Sequence, residues 1–598
     1  MRTNLHQTIA LLAIAVSAFQ AGRAWAIEID RPITLKPNGY FGCADGSAFV
    51  PLGGFYANWP GKDNGPGNKI LPPRQVMPDM GKPYLYPYSQ ETLADMRGWF
   101  AYLKSQGVTA QRMMLRSTDI VGRVEPEKLK AVLDCLDLAR AYGLKFQIVL
   151  FDDYNKPPYV NKSMLDDAIS HYKPDELEKL PDYRKRFLVE KRLASSKFID
   201  PDALKCQKDY LNELIPVLAK RPEVFAYEIE NEQDPNSTDW VARIVAHIKS
   251  IDPVTAVVGN PVALDGPTLY AWSRTGLDAL NIHPYNHGDK RNGSNVYNAA
   301  RAKQACACLP SYNGESAINL STHSHVPEWE AAQNARDNIW PTIAAGAIGC
   351  MMWVPEYRGE VEEFAMASRV LRELDLSGFK RDRADIRVWQ STAPEEEKDL
   401  HDVLRWTGFC MRTGYDLDLV IGSDSGSEAI PVSKVPTPAD FSSAWRPFEV
   451  TSGYYAQPLT GNGRSKGLIY LANIAGGIKM GSDKQWLRAK LPTTLALRSR
   501  LGPGVFRFSV YDLDTHTRTD RTQPGDGSIS LGKTAHDYVV TFKSMPDFLS
   551  VNTPRQGRRI LASGKDGSGS RPGASPAQQH DLPAHRRGDL HHNVRRPS

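Results

Sequence analysis

Between residues 45 and 375, short apolar runs alternate with stretches whose apolar positions recur every three or four residues. Phe49–Tyr56, Val108–Leu115 and Phe146–Phe151 (apolar except for Gln147) read as strands, as do 224–231, 255–259, 278–284, 309–314 and 347–354. Helical patterns lie between them. Ser89 caps one that places Leu93, Met96, Phe100 and Leu103 on one face. Pro126 opens another, carrying Leu129, Val132, Leu133 and Leu136, and Gly143 ends it. Further helices are predicted over 203–220, 238–250, 265–275, 294–305, 328–345 and 360–376. Strands that are apolar throughout are buried on both faces, so the sheet is parallel and covered by helices. Eight strand–helix repeats predict an α/β fold closed into a (β/α)8 TIM barrel. An open doubly wound sheet would carry a Gly-rich phosphate turn after its first strand. Gly53-Gly54 lies inside a strand, and no G-x-G-x-x-G follows.

The pattern changes after the barrel, assigned to 27–380. Over 385–550 short alternating runs such as Gly467–Asn473, Gly504–Tyr511 and Asp537–Phe542 are separated by turn residues, which predicts an antiparallel β-sandwich. The helical stretch 394–414 is either a linker or the start of that domain, and support of the barrel is the sandwich's expected role. Residues 551–598 are rich in Gly, Ser, Pro, Arg and His without periodicity and are expected to be disordered. This tail holds nine Lys/Arg against three Asp, so the net charge of +5 is carried there and the folded part is close to neutral. Nucleic acid is therefore not an expected partner. At the other end, Arg2 and His6 precede an apolar run, Thr8–Ala18, and Ala24-Trp25-Ala26 offers a small-x-small cleavage site. Residues 1–26 read as an export signal, giving a secreted or periplasmic protein without a membrane anchor after processing. The seven cysteines show no zinc-type spacing and read as core residues, with room for one or two disulfides.

Chemistry in such barrels collects where the strands end. Those positions are strongly polar and aromatic here: Asn58 and Trp59, Arg112, Asp152 and Asp153, Asn231 and Glu232, His283 and Tyr285, Glu315, then Trp353 and Glu356. Two glutamates at the ends of separate strands suit acetal hydrolysis with retention, in which one gives up a proton and the other attacks carbon. Two long loops, 58–88 and 153–202, leave the same face and are expected to wall a cleft.

Taken together these residues resemble clan A of the glycoside hydrolases, and most of all the cellulase-type family 5. That clan has Asn-Glu at the end of the fourth strand, matched by Asn231-Glu232, and a Glu at the end of the seventh, matched by Glu315. It also has an Arg on the second strand, a His-x-Tyr on the sixth and a Trp on the eighth, matched by Arg112, His283-Pro284-Tyr285 and Trp353. Where the family often has a His after the third strand, this chain has Phe151-Asp152-Asp153. The resemblance implies a retaining glycoside hydrolase acting on a poly- or oligosaccharide without cofactor or metal. Glu232 would be the general acid/base with a raised pKa, and Glu315 an ionised nucleophile hydrogen-bonded by Tyr285 and Arg112. Asn231 would hold the sugar 2-hydroxyl and Trp353 floor a sugar ring, with Asn58, Asp152 and Glu356 as further substrate contacts. Other readings stay open. Glu228 and Glu230 share the parity of Glu232, which suits structural pairing with Arg112 or Arg116, or else a divalent metal held by three inward glutamates. A carbohydrate-binding protein with little turnover fits the same barrel. The sugar, its linkage and the oligomeric state are not legible.

Overall fold

The computed structural model describes residues 32–55, 90–115, 124, 126–151, 175, 178–179, 201–285, 293–316, 327–352, 358–392, 397–422, 429–481 and 486–545. Eight strands form a closed barrel: β1 (Leu52–Phe55), β2 (Ala110–Met114), β3 (Lys145–Phe151), β4 (Val224–Glu230), β5 (Ala256–Gly259), β6 (Ala279–Ile282), β7 (Ser311–Asn313) and β8 (Cys350–Met352). Each pairs in parallel with the next, and β8 closes onto β1. The helices are α1 (Gln90–Ser105), α2 (Pro126–Tyr142), α3 (Pro201–Leu218), α4 (Thr238–Ile251), α5 (Gly266–Ser273), α6 (Gly293–Cys308), α7 (Glu328–Ala344) and α8 (Arg358–Leu374). In α4 the buried residues Trp240, Val241, Ile244, Val245 and Ile248 fall at three- and four-residue spacing, the stripe that seats a helix on a barrel.

One apolar run divides in two. Ala48–Phe49 belongs to a small antiparallel sheet with Thr34–Leu35 and Phe41–Gly42, and the barrel begins only at Leu52. Pro51 lies between and has no N–H to give to a ladder, while its carbonyl accepts from the Cys350 amide of β8. The small sheet closes the barrel floor with aromatic rings. Phe41 meets Phe225 at 5.4 Å and Tyr312 at 6.2 Å between centroids. Phe225 reaches that floor because β4 slips register against β3. Phe146 faces Val224 and Gln147 faces Ala226, leaving Phe225 as the extra residue.

After the barrel the structure departs from the expected sandwich. Residues 386–431 form a parallel sheet of β9 (Ile386–Ser391), β10 (Leu417–Gly422) and β11 (Ile430–Pro431), with α9 (Glu397–Thr413) as the crossover between β9 and β10. It sits on α6, where Lys303 Nζ donates to the Leu417 carbonyl at 2.7 Å and Gln304 to Gln390 at 3.1 Å. The sandwich proper follows. A three-stranded antiparallel sheet (Phe448–Val450, Thr493–Ser499, Ser528–Thr534) packs on a five-stranded one ordered Tyr454–Gly461, Lys466–Asn473, Tyr538–Ser544, Val505–Asp512, Thr517–Pro524. Ile469 and Leu471 point into the sandwich core, while Leu468, Tyr470 and Ala472 join the barrel's hydrophobic cluster. The larger sheet is thus buried on both faces, and barrel and sandwich belong to one compact unit. None of the seven cysteines is joined in a disulfide. Among the described residues no helix is long and apolar enough to cross a membrane.

Candidate active site

The barrel brings together, at the carboxyl ends of its strands, six of the residues singled out from sequence. Arg112 lies within β2, Asn231 and Glu232 follow β4, His283 and Tyr285 follow β6, and Glu315 follows β7. Asn58, Trp59, Asp152, Asp153, Trp353 and Glu356 lie outside the described residues, as do most of the two cleft loops, the expected signal and the basic tail.

Glu315 is held from two sides. Arg112 Nη1 donates to its Oε2, and the Tyr285 hydroxyl donates to its Oε1. Its side chain is 3% exposed, against 24% for Glu232, so the first carboxylate is fixed and dry while the second faces the cleft. One carboxylate oxygen of each glutamate and a ring nitrogen of His283 all lie within 4.8 Å of one another. His283 Nδ1 stands 3.3 Å from Glu232 and 3.6 Å from Glu315. The amide of Asn260, just past β5, is 2.8 Å from the same nitrogen.

Local backbone supports this geometry. Glu232 has φ +45°, a left-handed conformation that a residue with a β-carbon adopts only where its surroundings enforce it, at about 1–3 kcal/mol. The amide of the next residue, Gln233, is tied to the Asn260 carbonyl at 2.9 Å, which holds the turn. At β7 the residue before the nucleophile candidate must be glycine. A β-carbon on Gly314 would lie 1.4 Å from Asn281 Oδ1 of β6. Asn313 Oδ1 then accepts from the Glu315 amide at 3.2 Å, and Asn313 Nδ2 donates to Ser316 at 3.1 Å, fixing the direction in which the chain leaves the strand.

Burial pushes the Glu315 carboxyl above the ordinary glutamate value; His283, Arg112 and Tyr285 act downward against it, while Glu232 adds to the upward push. The expectation of a readily ionised Glu315 is therefore modified. Its charge is costly where it sits and persists by virtue of its cationic and hydroxyl partners.

Glu232, His283 and Glu315 are also the group whose ligand atoms converge closely enough to hold a cation. Both Glu315 oxygens already accept from Arg112 and Tyr285, and the guanidinium charge would repel a metal there. The trio of inward glutamates considered from sequence is broken up as a ligand set, because Glu228 is bound bidentately by Arg112.

No family model and no curated protein matches the chain. Among solved structures it is similar to an exo-β-1,4-mannosidase from Opitutaceae bacterium strain TAV5, at 14% identity, with 68% of this chain and 74% of that chain covered and a TM-score of 0.45. It is also similar to a GH5_18 protein from Streptomyces cattleya in complex with GlcNAc (15% identity, 57% and 93% covered, TM-score 0.43). A third is a mutant of a glycoside hydrolase family 5 mannosidase from Rhizomucor miehei (12% identity, 57% and 99% covered, TM-score 0.40). Likeness at this level says nothing about the chemistry, which has to come from the side chains.

Three site residues escaped the sequence reading. Gln147 was visible as the lone polar position in an otherwise apolar strand, and it proves to donate to Glu228 inside the barrel. Tyr312 and Asn260 gave no comparable signal, since a Tyr in a short strand and an Asn at a strand end are ordinary occupants.

Proposed function

We propose that the protein is a secreted or periplasmic retaining glycoside hydrolase, in keeping with its resemblance to clan A, acting on a poly- or oligosaccharide by double displacement. The observation that carries this reading is the pair Glu232 and Glu315, facing each other across one cleft with oxygens within 4.8 Å. Retention by a covalent intermediate needs carboxyl groups about 5–5.5 Å apart, whereas inversion needs about 6.5–9.5 Å to seat a water between acid and base. The pair falls on the short side.

Roles follow from the surroundings. Glu315, an acceptor at both oxygens, attacks the anomeric carbon as Glu232 gives its proton to the departing glycosidic oxygen. The carbon–oxygen bond breaks and a glycosyl ester forms on Glu315. Glu232, now ionised and on the open side, takes a proton from water. The resulting hydroxide character attacks the same carbon and returns Glu315 as carboxylate. Asn231 has its Oδ1 committed to Arg112 at 2.7 Å, so its amide nitrogen is the end offered to a sugar hydroxyl.

The deciding experiment is covalent trapping. Incubation with 2-deoxy-2-fluoro glycosides carrying a good leaving group, across gluco, manno and xylo configurations, should add one glycosyl mass to the peptide containing Glu315. Hydrolysis of glucan, mannan, xylan or aryl glycosides without any such adduct, or with inverted product, would remove the double-displacement mechanism. Sugar binding without turnover on the whole panel would leave the binding-protein reading instead.

A pH profile gives a second check. Glu315 attacks only when ionised, and its pKa lies above the ordinary value of 4.5. The acid limb of kcat/KM, which reports the free enzyme, should therefore fall above pH 4.5, with activity rising through it. A limb at or below 4.5 would contradict the dry environment assigned to this carboxylate.

A further inference from the structure

Beneath the two glutamates the barrel interior contains a third, Glu228, which the mechanism above does not use. It is fully buried and receives both Arg112 Nε and Arg112 Nη2, each at 2.7 Å. The second hydrogen of Nη2 goes to Asn231 Oδ1 at 2.7 Å, and Nη1 goes to Glu315. Glu228 is in turn held from below. Gln147 Nε2 donates to its Oε2, and the Tyr312 hydroxyl donates to Gln147 Oε1 at 2.5 Å. Burial and the neighbouring Glu228 charge keep Tyr312 protonated, far above the ordinary tyrosine range, so its donor role is fixed. The ring of Tyr312 rests against Phe41 of the floor sheet. A continuous hydrogen-bonded column therefore runs from the closed end of the barrel to the nucleophile candidate.

We propose that Glu228, braced by Gln147 and Tyr312, is a positioning residue for Glu315: it fixes the plane of the Arg112 guanidinium and takes a share of its charge, so that Arg112 orients Glu315 without quenching it. This rests on Glu315 being the nucleophile. A guanidinium bound bidentately on one edge has lost its torsional freedom, and its remaining N–H directions are set by covalent geometry. One cation between two carboxylates is divided. Were the whole charge to fall on Glu315, its pKa would drop and with it the basicity that attack on carbon requires. The groups facing Glu315 are Arg112 from β2, Glu232 from the end of β4, and His283 and Tyr285 from the end of β6. Those facing Glu228 are Arg112, Gln147 and Tyr312.

The test uses the full chain and the aryl glycoside that the wild type turns over fastest. Glu228→Gln should lower kcat by about 10–100-fold with little change in KM, as expected when a reacting group is misplaced by a fraction of an ångström to an ångström. Its acid limb should move to lower pH, because Arg112 then acts on Glu315 alone. Glu228→Asp restores the charge but not the reach, so the limb should return to its wild-type position while kcat stays reduced. Tyr312→Phe should lower kcat less and leave the limb in place. A merely structural role predicts lost stability with the limb unmoved in Glu228→Gln, and that result overturns the proposal, as does wild-type kcat in the same variant. Should Glu228→Gln fail to fold, Glu228→Asp decides: unreduced kcat or a displaced limb counts against. Failure of the glycosidase reading itself looks different, because the wild type would then show no turnover or Glu315→Gln would retain it.

Discussion

Glu315→Gln is expected to give a folded protein that has lost nearly all glycoside turnover, the largest catalytic effect of any single change in this chain. The substitution keeps shape and volume. It removes a charge whose burial is unfavourable and so returns some stability, but it puts an amide NH2 where Arg112 or Tyr285 now donates. Two donors facing each other cost about 1–3 kcal/mol, which a unit of this size withstands. An amide does not attack the anomeric carbon at a useful rate, so no route to the glycosyl ester survives. Glu232→Gln should behave differently. Proton donation is worth about 10²–10⁴-fold, and the loss depends on how much the leaving group needs it. Dinitrophenyl glycosides, which leave unaided, should still acylate Glu315 and then stall, giving a burst that added azide relieves by forming the glycosyl azide. Steady-state and burst kinetics on nitrophenyl and dinitrophenyl glycosides measure both variants. Glu315→Gln activity within about tenfold of wild type, a loss worth only about 1.4 kcal/mol of barrier, would end the assignment.

The contrast between the two variants follows from features that were partly legible in the chain. Strands buried on both faces are apolar without alternation, so the barrel's eight repeats stood out, and polar residues at their carboxyl ends marked Arg112, Asn231, Glu232, His283, Tyr285 and Glu315. Period alone does not give strand direction. Residues Ile386–Ser391 and Leu417–Gly422 alternate buried and half-buried positions as antiparallel strands do, yet they pair in parallel around α9. Their alternation reflects one face packed on α5 and α6 and one face more open, and only the intervening helix betrays the parallel unit. Helix α7 illustrates the opposite difficulty. Almost every position from Glu330 to Ala344 is buried, including Asn334, Arg336, Asp337 and Asn338, because the sandwich covers its outer side. The helix expected over 328–345 forms, but nothing in its sequence announces that its polar face is buried against another domain. The interior column of Tyr312, Gln147 and Glu228 was hidden for a related reason. Sequence shows that such residues point inward, but only three-dimensional register shows that they meet.

That covered face of α7 carries the second large effect. Asp537 of the sandwich is fully buried and meets three cations: Arg488 Nη1 at 2.6 Å, Lys490 at 2.7 Å and Arg336 of α7 at 3.1 Å. Arg488 also reaches Asp337 of α7 at 2.5 Å, and Arg336 pairs with Glu363 of α8. Asp537→Asn keeps the volume but takes from Arg488, Lys490 and Arg336 the buried anion they share, which should cost about 3–5 kcal/mol in urea unfolding. The wild-type contribution depends on pH in a defined direction. Burial would raise the Asp537 carboxyl, but Arg488, Lys490 and Arg336 outweigh it and hold it well below 3.8. A depressed carboxyl contributes its stability in full above the unfolded value near 3.8 and loses it only as pH falls toward the native one. Wild type and variant should therefore differ by the full amount at pH 7, still by most of it at pH 5, and converge in strong acid. Replacing Asp537, Arg488 and Asp337 together by apolar residues of similar size should recover most of the loss, since Arg336 keeps Glu363 and Asp514, Lys490 keeps Asp514, and no buried charge is left uncompensated. Activity separates the sandwich's two conceivable roles. Helix α7 begins after the segment that leaves Glu315, and the C-terminal domain contacts the barrel through α6, α7 and α8 while the two candidate catalytic carboxylates follow β4 and β7. With the sandwich as a brace, Asp537→Asn assayed well below its melting temperature should keep wild-type kcat and KM on aryl glycoside and polymer alike. A selective rise in KM for polymer would make the junction part of the substrate path instead.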